Sequence, residues 1–423
     1  MPLTWRGTEL RLLLPLIVLV PLGFALAHIV ATGKPDPGSL TLALTYVALV
    51  LSAHVALVLL GHRGDQLLFP LAATIGGVGL VMLNRLPQGL AGMNLFGLSV
   101  GMAQTQLVWF AVSLVAMVAI AVFFRDDGIL RHYKYSWALA GAGLLVVTFQ
   151  PGEAIKIVLV VFIAGYLAEK RALLAGAHRS IGPIKIPPLP YLLPMLAIFA
   201  MVMVMVVISK DLGIALLFYG IFLTMLFVAT GRRSYVLIGL VLFIAGSYAA
   251  YLLFPHVRVR VDDWISPFAD PSGNGYQTVQ ALYAFGRGGL FGEGLGQGLP
   301  LISGHIPIPA IETDFIFTAI AEELGLVGAF ALLALAAALV ARGLRIAILA
   351  RDDFSSLMAV GLTTSLGLQT LIIAAGNTKL IPLTGITFPF VSYGGSSLLA
   401  SFVVLGLLLS VSHRSAVDEG RSP

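Results

Sequence analysis

The sequence predicts an all-α fold, a polytopic membrane helix bundle, on three observations. Hydrophobic residues make up 58% of the 423 and charged residues only 11%, against roughly 25% charged in a soluble globular chain. Apolar runs long enough to cross a bilayer core, about 20 residues each, recur along the whole chain. One long polar stretch, residues 255–313, interrupts them. Cysteine is absent, which excludes disulfides, thiolate catalysis and cysteine-based metal sites together. The net charge is +5, and no basic run points to nucleic acid.

About twelve apolar segments satisfy the bilayer length: 10–30, 39–61, 67–84, 105–124, 134–149, 152–168, 191–208, 211–229, 234–254, 315–341, 355–376 and 387–411. The fifth and sixth are short and separated only by Gln150 and Pro151, so that eleven spans is the alternative count. Arg6 and Arg11 precede a run passing through Ala25-Leu26-Ala27, the pattern of a cleaved leader, but the run continues to Val30 and is long enough to span. With the N-terminus inside and the spans alternating, about 17 of the 25 Lys and Arg fall at inner ends, the cytoplasmic excess that sets orientation. Both termini are then cytoplasmic, and 255–313 becomes a large extracytoplasmic loop. Its aromatics, Trp264, Phe268, Tyr276, Tyr283, Phe285 and Phe291, argue against a disordered linker; a loop this long is functional or disordered.

Ionisable groups at membrane depth are costly and face a cavity or a partner. Glu153 and Lys156 lie three apart on one helical face, either as a structural ion pair or as a charged cavity wall. Lys210 and Asp211 sit between two spans, where a helix-end pair is an equal reading. Glu322 and Glu323 lie two turns into the tenth span, where either serves the bundle interior. Asp314, with Glu312, stands at that span's outer mouth. Phe315, Ile316 and Phe317 follow it and place its carboxyl at the water–hydrocarbon boundary, where desolvation raises a carboxyl pKa toward that of a general base. Its position alone favours the plainer reading, an acid at a helix start that favours the helix dipole. Arg258 and Arg260 are cations on the same side, suited to a phosphate or pyrophosphate. The glycines at 292, 294, 296 and 298 lack the Lys-Ser/Thr of a phosphate loop and a strand–helix setting; they serve tight turns or a close approach of backbone to ligand. Thr387–Ser397, TFPFVSYGGSS, reads as a broken helix whose freed backbone groups line a cavity.

Six stretches carry a family resemblance: RVDDWISPFADPSGNGYQ (Arg260–Gln277), ALYAFGRGGLFGEGLGQG (Ala281–Gly298), TDFIFTAIAEELGLVG (Thr313–Gly328), LTGITFPFVSYGGSSLL (Leu383–Leu399), FQPGEAIKI (Phe149–Ile157) and DLGIALL (Asp211–Leu217). The four long ones, in that order, with the two shorter ones that precede them in the chain, resemble the SEDS proteins of bacteria, the RodA and FtsW group, over roughly residues 67–411. The resemblance implies a ten-helix core with two added N-terminal helices in 1–66, and a short cytoplasmic tail over 412–423. It implies a peptidoglycan glycosyltransferase of the bacterial cytoplasmic membrane that polymerises lipid II at the outer face, for elongation or division, beside a class B penicillin-binding protein. A lipid II flippase and a scaffold that recruits the penicillin-binding protein are the competing readings. Carried over, the catalytic carboxylate is Asp314. Substrate binding falls to Arg260, Lys156, Glu153, Glu312, Trp264, Gln277, Lys379 and Ser396. No cofactor is tightly bound and no metal ligand is assigned, although a divalent cation, Mg2+ or Mn2+, suits the departing pyrophosphate.

Three features depart from the family pattern. Its Pro-Glu-x-His before the TDF motif is here Pro309, Ala310, Ile311 and Glu312. An Arg-Trp pair common before the Phe-Gln-Pro motif is missing ahead of Phe149. The first two segments are additional to the usual ten.

Overall fold

The computed structural model describes residues 6–34, 36–86, 93–95, 98–125, 128–132, 152–176, 179–181, 184–186, 193, 196–197, 199–200, 203–204, 211–298 and 308–419. In chain order the elements are α1 (Gly7–Thr32), α2 (Pro37–Leu59), α3 (Leu68–Arg85), β1 (Met93–Leu95), β2 (Leu98–Val100), α4 (Met102–Phe123), α5 (Gly128–His132), α6 (Gly152–Gly176), β3 (Arg179–Ile181), β4 (Ile184–Ile186), α7 (Leu212–Thr230), α8 (Arg233–Leu253), α9 (Pro255–Ile265), α10 (Tyr276–Gly288), α11 (Ile316–Leu349), α12 (Asp353–Asn377) and α13 (Gly395–Glu419). The strands form two antiparallel hairpins, β1 with β2 and β3 with β4.

Helix limits follow local chemistry. Asp36, Asp211 and Asp352 cap α2, α7 and α12, each accepting a backbone N–H of the first turn, a group with no intrahelical partner. Gly33 and Gly231 close α1 and α7 in the left-handed region, at φ 73° and 67°, which a residue without Cβ enters freely.

Among the described residues nine helices are long and apolar enough to cross a membrane. The 25-residue α6 is as long but more charged. The predicted segment 134–149, and nearly all of 191–208, lie outside the described residues, so the count of about twelve meets ten long helices here. Two boundaries differ from the sequence reading. The tenth span runs to Leu349 rather than 341, and the last begins at Gly395 rather than 387. Residues 387–394 are irregular because Pro389 removes a backbone donor and Phe390 sits at φ 67°. The loop 255–313 also differs, since it folds α9, a 3-10 turn at Pro267–Ala269 and α10.

The core sits between α12, α13 and α3, whose apolar windows are 78%, 72% and 72% buried, whereas α8 is 6% buried and faces outward along nearly its whole length. The first two helices pack on α3 and α4: Tyr46 is fully enclosed, donates to the Ala73 carbonyl and lies 4.8 Å from Phe110, ring to ring. At one end of the bundle Arg6 donates to the carbonyls of His62 (3.0 Å) and Gly64 (3.2 Å), and Asp65 N–H donates to Ser412 Oγ (2.7 Å). That end therefore gathers the start of α1, the α2–α3 turn and the end of α13. At the opposite end α6, α7 and α11 begin and α12 finishes.

Candidate active site

The carboxylate of Asp314 sits at that second end, on a turn fixed on both sides. Ala310, at φ 56°, turns its carbonyl so that it accepts from the N–H groups of Thr313 (3.2 Å), Asp314 (3.0 Å) and Phe315 (3.3 Å). Asn377, at the end of α12, donates to the Asp314 carbonyl (2.8 Å) and accepts from Thr318 of α11 (3.0 Å). From the irregular segment before α13, Tyr393 N–H donates to Glu312 O (2.8 Å) and Ser392 Oγ to Thr313 O (2.6 Å). Three elements thus hold the backbone of residues 312–314, and the carboxylate is pre-positioned by packing. Gly385, at φ 72°, backs it: a Cβ there would meet Asp314 Oδ2 at 3.5 Å.

Burial pushes the Asp314 pKa above the ordinary carboxylate value, the hydrogen bond to Thr313 and the Arg260 charge oppose the shift, and Glu312 and Asp211 reinforce it. This is the direction the sequence predicts, and its main cause is desolvation. Asp211 is shifted upward too, again by burial, with Arg260 opposing. Two carboxyls thus face one guanidinium. One oxygen of Glu312, Oε2, is buried with no hydrogen-bond partner among the described residues.

Arg260 and Trp264 lie four apart on one face of α9 and grip the connector that follows α12. Arg260 Nη1 donates to the carbonyls of Leu383 (3.4 Å) and Thr384 (3.3 Å), and Trp264 Nε1 to that of Lys379 (3.0 Å). Lys379, at φ 60°, reaches back to Ile265 O (3.5 Å). Below this connector lies a second polar group. Lys156, 1% exposed, pairs with Glu153 and donates to Gln369 Oε1 (2.8 Å). Gln369 Nε2 in turn donates to Glu153 Oε1 (3.0 Å) and to Thr387 O (3.1 Å), and Thr387 shares a hydrogen bond with Ser397 (2.6 Å). Glu153 also contributes to the charge felt by Asp211, so the two groups adjoin.

Of the residues assigned from sequence, Asp314, Glu312, Arg260, Trp264, Lys379, Glu153 and Lys156 therefore line one region. Two do not join it. Gln277, in the first turn of α10, makes no hydrogen bond to the cluster among the described residues. Ser396 is exposed, and its neighbour Ser397 turns inward instead; successive helical residues diverge by about 100°, so the motif indicated the place but not the residue. Gln369, Asn377, Thr387 and Ser397 are members that the sequence reading did not assign, and Asp211 is one that it weighed against a helix-end pair. Gln369 and Asn377 did carry a signal, two amide side chains on the α12 span.

Glu322 and Glu323 serve the bundle. Arg287 binds Glu322 through Nε (3.1 Å) and Nη2 (3.0 Å), and Arg85 pairs with Glu323, whose Oε2 also accepts from Gly296 N–H (2.8 Å). The glycine run approaches protein backbone: Glu293 and Gly294 N–H groups donate to the carbonyls of Glu322 and Glu323, both at 3.0 Å.

Three kinds of comparison bear on this arrangement. The model of the FtsW, RodA and SpoVE family, described as a cell cycle protein, matches residues 136–417. The chain belongs to this family. Among its members, the peptidoglycan glycosyltransferase RodA of Mycobacterium tuberculosis is 40% identical over 441 aligned positions, covering 97% of this chain and 91% of that one. The stage V sporulation protein E of Bacillus subtilis is 36% identical over 297, covering 70% and 76%. A solved chain from a peptidoglycan synthase complex that coordinates polymerisation and crosslinking superposes with a TM-score of 0.63 at 25% identity, covering 84% of this chain and 98% of that one. The chain is an integral membrane protein of this family.

Proposed function

We propose that the protein polymerises lipid II as a peptidoglycan glycosyltransferase, with Asp314 as the general base. The observation that carries this is the Asp314 carboxyl: the turn of residues 312–314 that bears it is pinned by three elements, its pKa is raised by burial, and Arg260 and Asp211 are close enough to shift it. In the reaction the 4-hydroxyl of an acceptor sugar attacks the anomeric carbon of the donor. The new glycosidic bond forms, the bond to the undecaprenyl pyrophosphate breaks, and the hydroxyl proton passes to Asp314.

Arg260 is better placed than Lys156 to meet the departing pyrophosphate. Its contacts to backbone carbonyls are long, 3.3 and 3.4 Å, whereas Lys156 is enclosed and already satisfied by Glu153 and Gln369. Lys156 and Glu153 then act by holding Thr387 and its segment under the substrate. Mg2+ needs one or two carboxylates when it arrives with phosphate oxygens; the unpartnered Oε2 of Glu312 is the donor that fits it, and the ion would supply charge neutralisation of the leaving group. Chain termini on the cytoplasmic side and a class B penicillin-binding protein beside the extracytoplasmic helices α9 and α10 complete the reading.

The test is polymerisation of labelled lipid II by the purified full chain with its cognate class B partner. Wild type makes glycan strands and Asp314→Ala makes none while retaining lipid II. Equal polymerisation by the variant, or none by wild type with its true partner, overturns the assignment.

A further inference from the structure

A second charged cavity lies at the opposite end of the bundle, between the last turns of α11 and α13. Its volume is about 130 Å³ and Asp65, Arg342, Arg345, Ser412 and Ser415 form its polar wall, with Ile346, Leu349 and Ala416 as its apolar floor. Water needs roughly 10–15 Å³ of such space per molecule, so a phosphate group fits.

The charges in it are unequally committed. The Asp65 carboxylate is fully used: Oδ1 accepts from Leu67 N–H (2.8 Å) and Leu68 N–H (3.0 Å), and Oδ2 from Arg342 Nε (3.0 Å) as well as Nη2. Arg342 is thereby held in place, at 24% side-chain exposure, with Nη1 outside that pair. Arg345, one turn further along the same helix face, is exposed and forms no ion pair or hydrogen bond among the described residues. Ser412 Oγ accepts from Asp65 N–H, which leaves its own hydrogen to donate. Two guanidiniums against one carboxylate leave the cavity a net cation, lined with donors.

Beside it, Leu344, Ile348 and Leu349 are 39%, 81% and 48% exposed on the outer surface of α11. Leu344 stands level with the two arginines, and exposed Ala337, Ala338 and Ala341, just before them on α11, continue this apolar surface toward the bilayer centre, where acyl chains would meet it. A basic pocket between transmembrane helices next to an acyl-chain surface is the chemistry of an anionic lipid headgroup site, and the planar guanidinium fork suits a phosphodiester better than a point charge does.

We propose that this cavity binds the phosphate of an anionic phospholipid headgroup in the leaflet at the end where α1 starts and α13 finishes. The site is far from Asp314 and independent of the catalytic reading.

Native mass spectrometry of the purified full chain, titrated with palmitoyl-oleoyl phosphatidylglycerol or phosphatidylcholine, tests it. Wild type retains phosphatidylglycerol in preference. Arg345→Glu reduces that preference at least fivefold, since one interfacial arginine contributes ~1 kcal/mol, while Arg345→Lys keeps most of it. Because Arg345 is exposed and unpaired, an unchanged thermal midpoint separates lost binding from lost fold. Equal retention of the two lipids, or an unchanged preference in Arg345→Glu, overturns the proposal. Displacement of phosphatidylglycerol by millimolar inorganic phosphate overturns the lipid assignment in favour of a free phosphate.

Discussion

At Asp314 one side chain carries two readings, a helix-start acid and a catalytic base, and the residues around it decide between them. An acid serving only the helix dipole has no need of Asn377 on its own carbonyl and of Ser392 and Tyr393 on those of Thr313 and Glu312, nor of a guanidinium nearby. Asp314→Asn keeps the shape and removes the base, and polymerisation falls by about 10²–10⁴-fold, the usual worth of general-base catalysis, with lipid II retention unchanged. Its pH dependence follows from charge. A base works when ionised, so activity is complete above its pKa and is lost as pH falls through it. Burial places the Asp314 pKa above the ordinary carboxylate value, and the acid limb of the rate profile lies correspondingly high. Glu312 raises that pKa and Arg260 lowers it, so Glu312→Gln moves the limb to lower pH and Arg260→Gln moves it higher, which stopped-time lipid II assays across pH will read. Asp314 was visible in the sequence through its motif. Asn377, Gln369 and Ser397 were not assigned, because the partners of an amide or hydroxyl lie up to 216 positions away in the chain, and no local pattern records that pairing.

At the scale of elements, the glycine run explains how α10 and α11 meet. Helix α11 is broken at Gly325, with φ 66° and ψ −170°, and the chain of residues 288–294 lies against that break as backbone on backbone. A Cβ at Gly288 would fall 2.2 Å from the Ala321 carbonyl, and one at Gly292 2.1 Å from that of Glu323. Neither carbonyl can yield without breaking the helix. Gly292→Ala, which also forces alanine to φ 85°, costs at least about 1–3 kcal/mol and lowers the apparent thermal midpoint. Gly286, two turns of sequence away, is the control: its Cβ would touch nothing within 4 Å, and Gly286→Ala in the helix gains about 0.5–1 kcal/mol. Equal midpoints for the two variants would refute this packing. The sequence offered tight turns or a close approach of backbone to ligand and did not foresee the helix, since a glycine pattern reports missing side chains and not what replaces them.

At the scale of the molecule, hydropathy made the bundle legible because every lipid-facing turn must be apolar, while the joining of the first two helices to the rest was not. That join is a buried polar network. Glu9, 0% exposed, pairs with Arg6 and with His54 (2.7 Å), and Arg6 continues to His62 Nδ1 (3.1 Å). Arg6→Ala leaves Glu9 buried without its cation, a change that costs about 3–5 kcal/mol and lowers the thermal midpoint of the full chain. The same network makes stability depend on pH. His62 lies in the α2–α3 turn, outside the spans, and burial, with Arg6, His413 and Arg125 around it, holds its pKa well below the ordinary value of 6.5. Folded protein therefore keeps His62 neutral where the unfolded chain protonates it. Below pH 6.5 the unfolded state binds the extra proton, and stability falls as pH falls; above it the term vanishes. His62→Gln removes this histidine and flattens the decline in thermal midpoint below pH 6.5, whereas an equally steep decline in the variant would assign the pH dependence to another group.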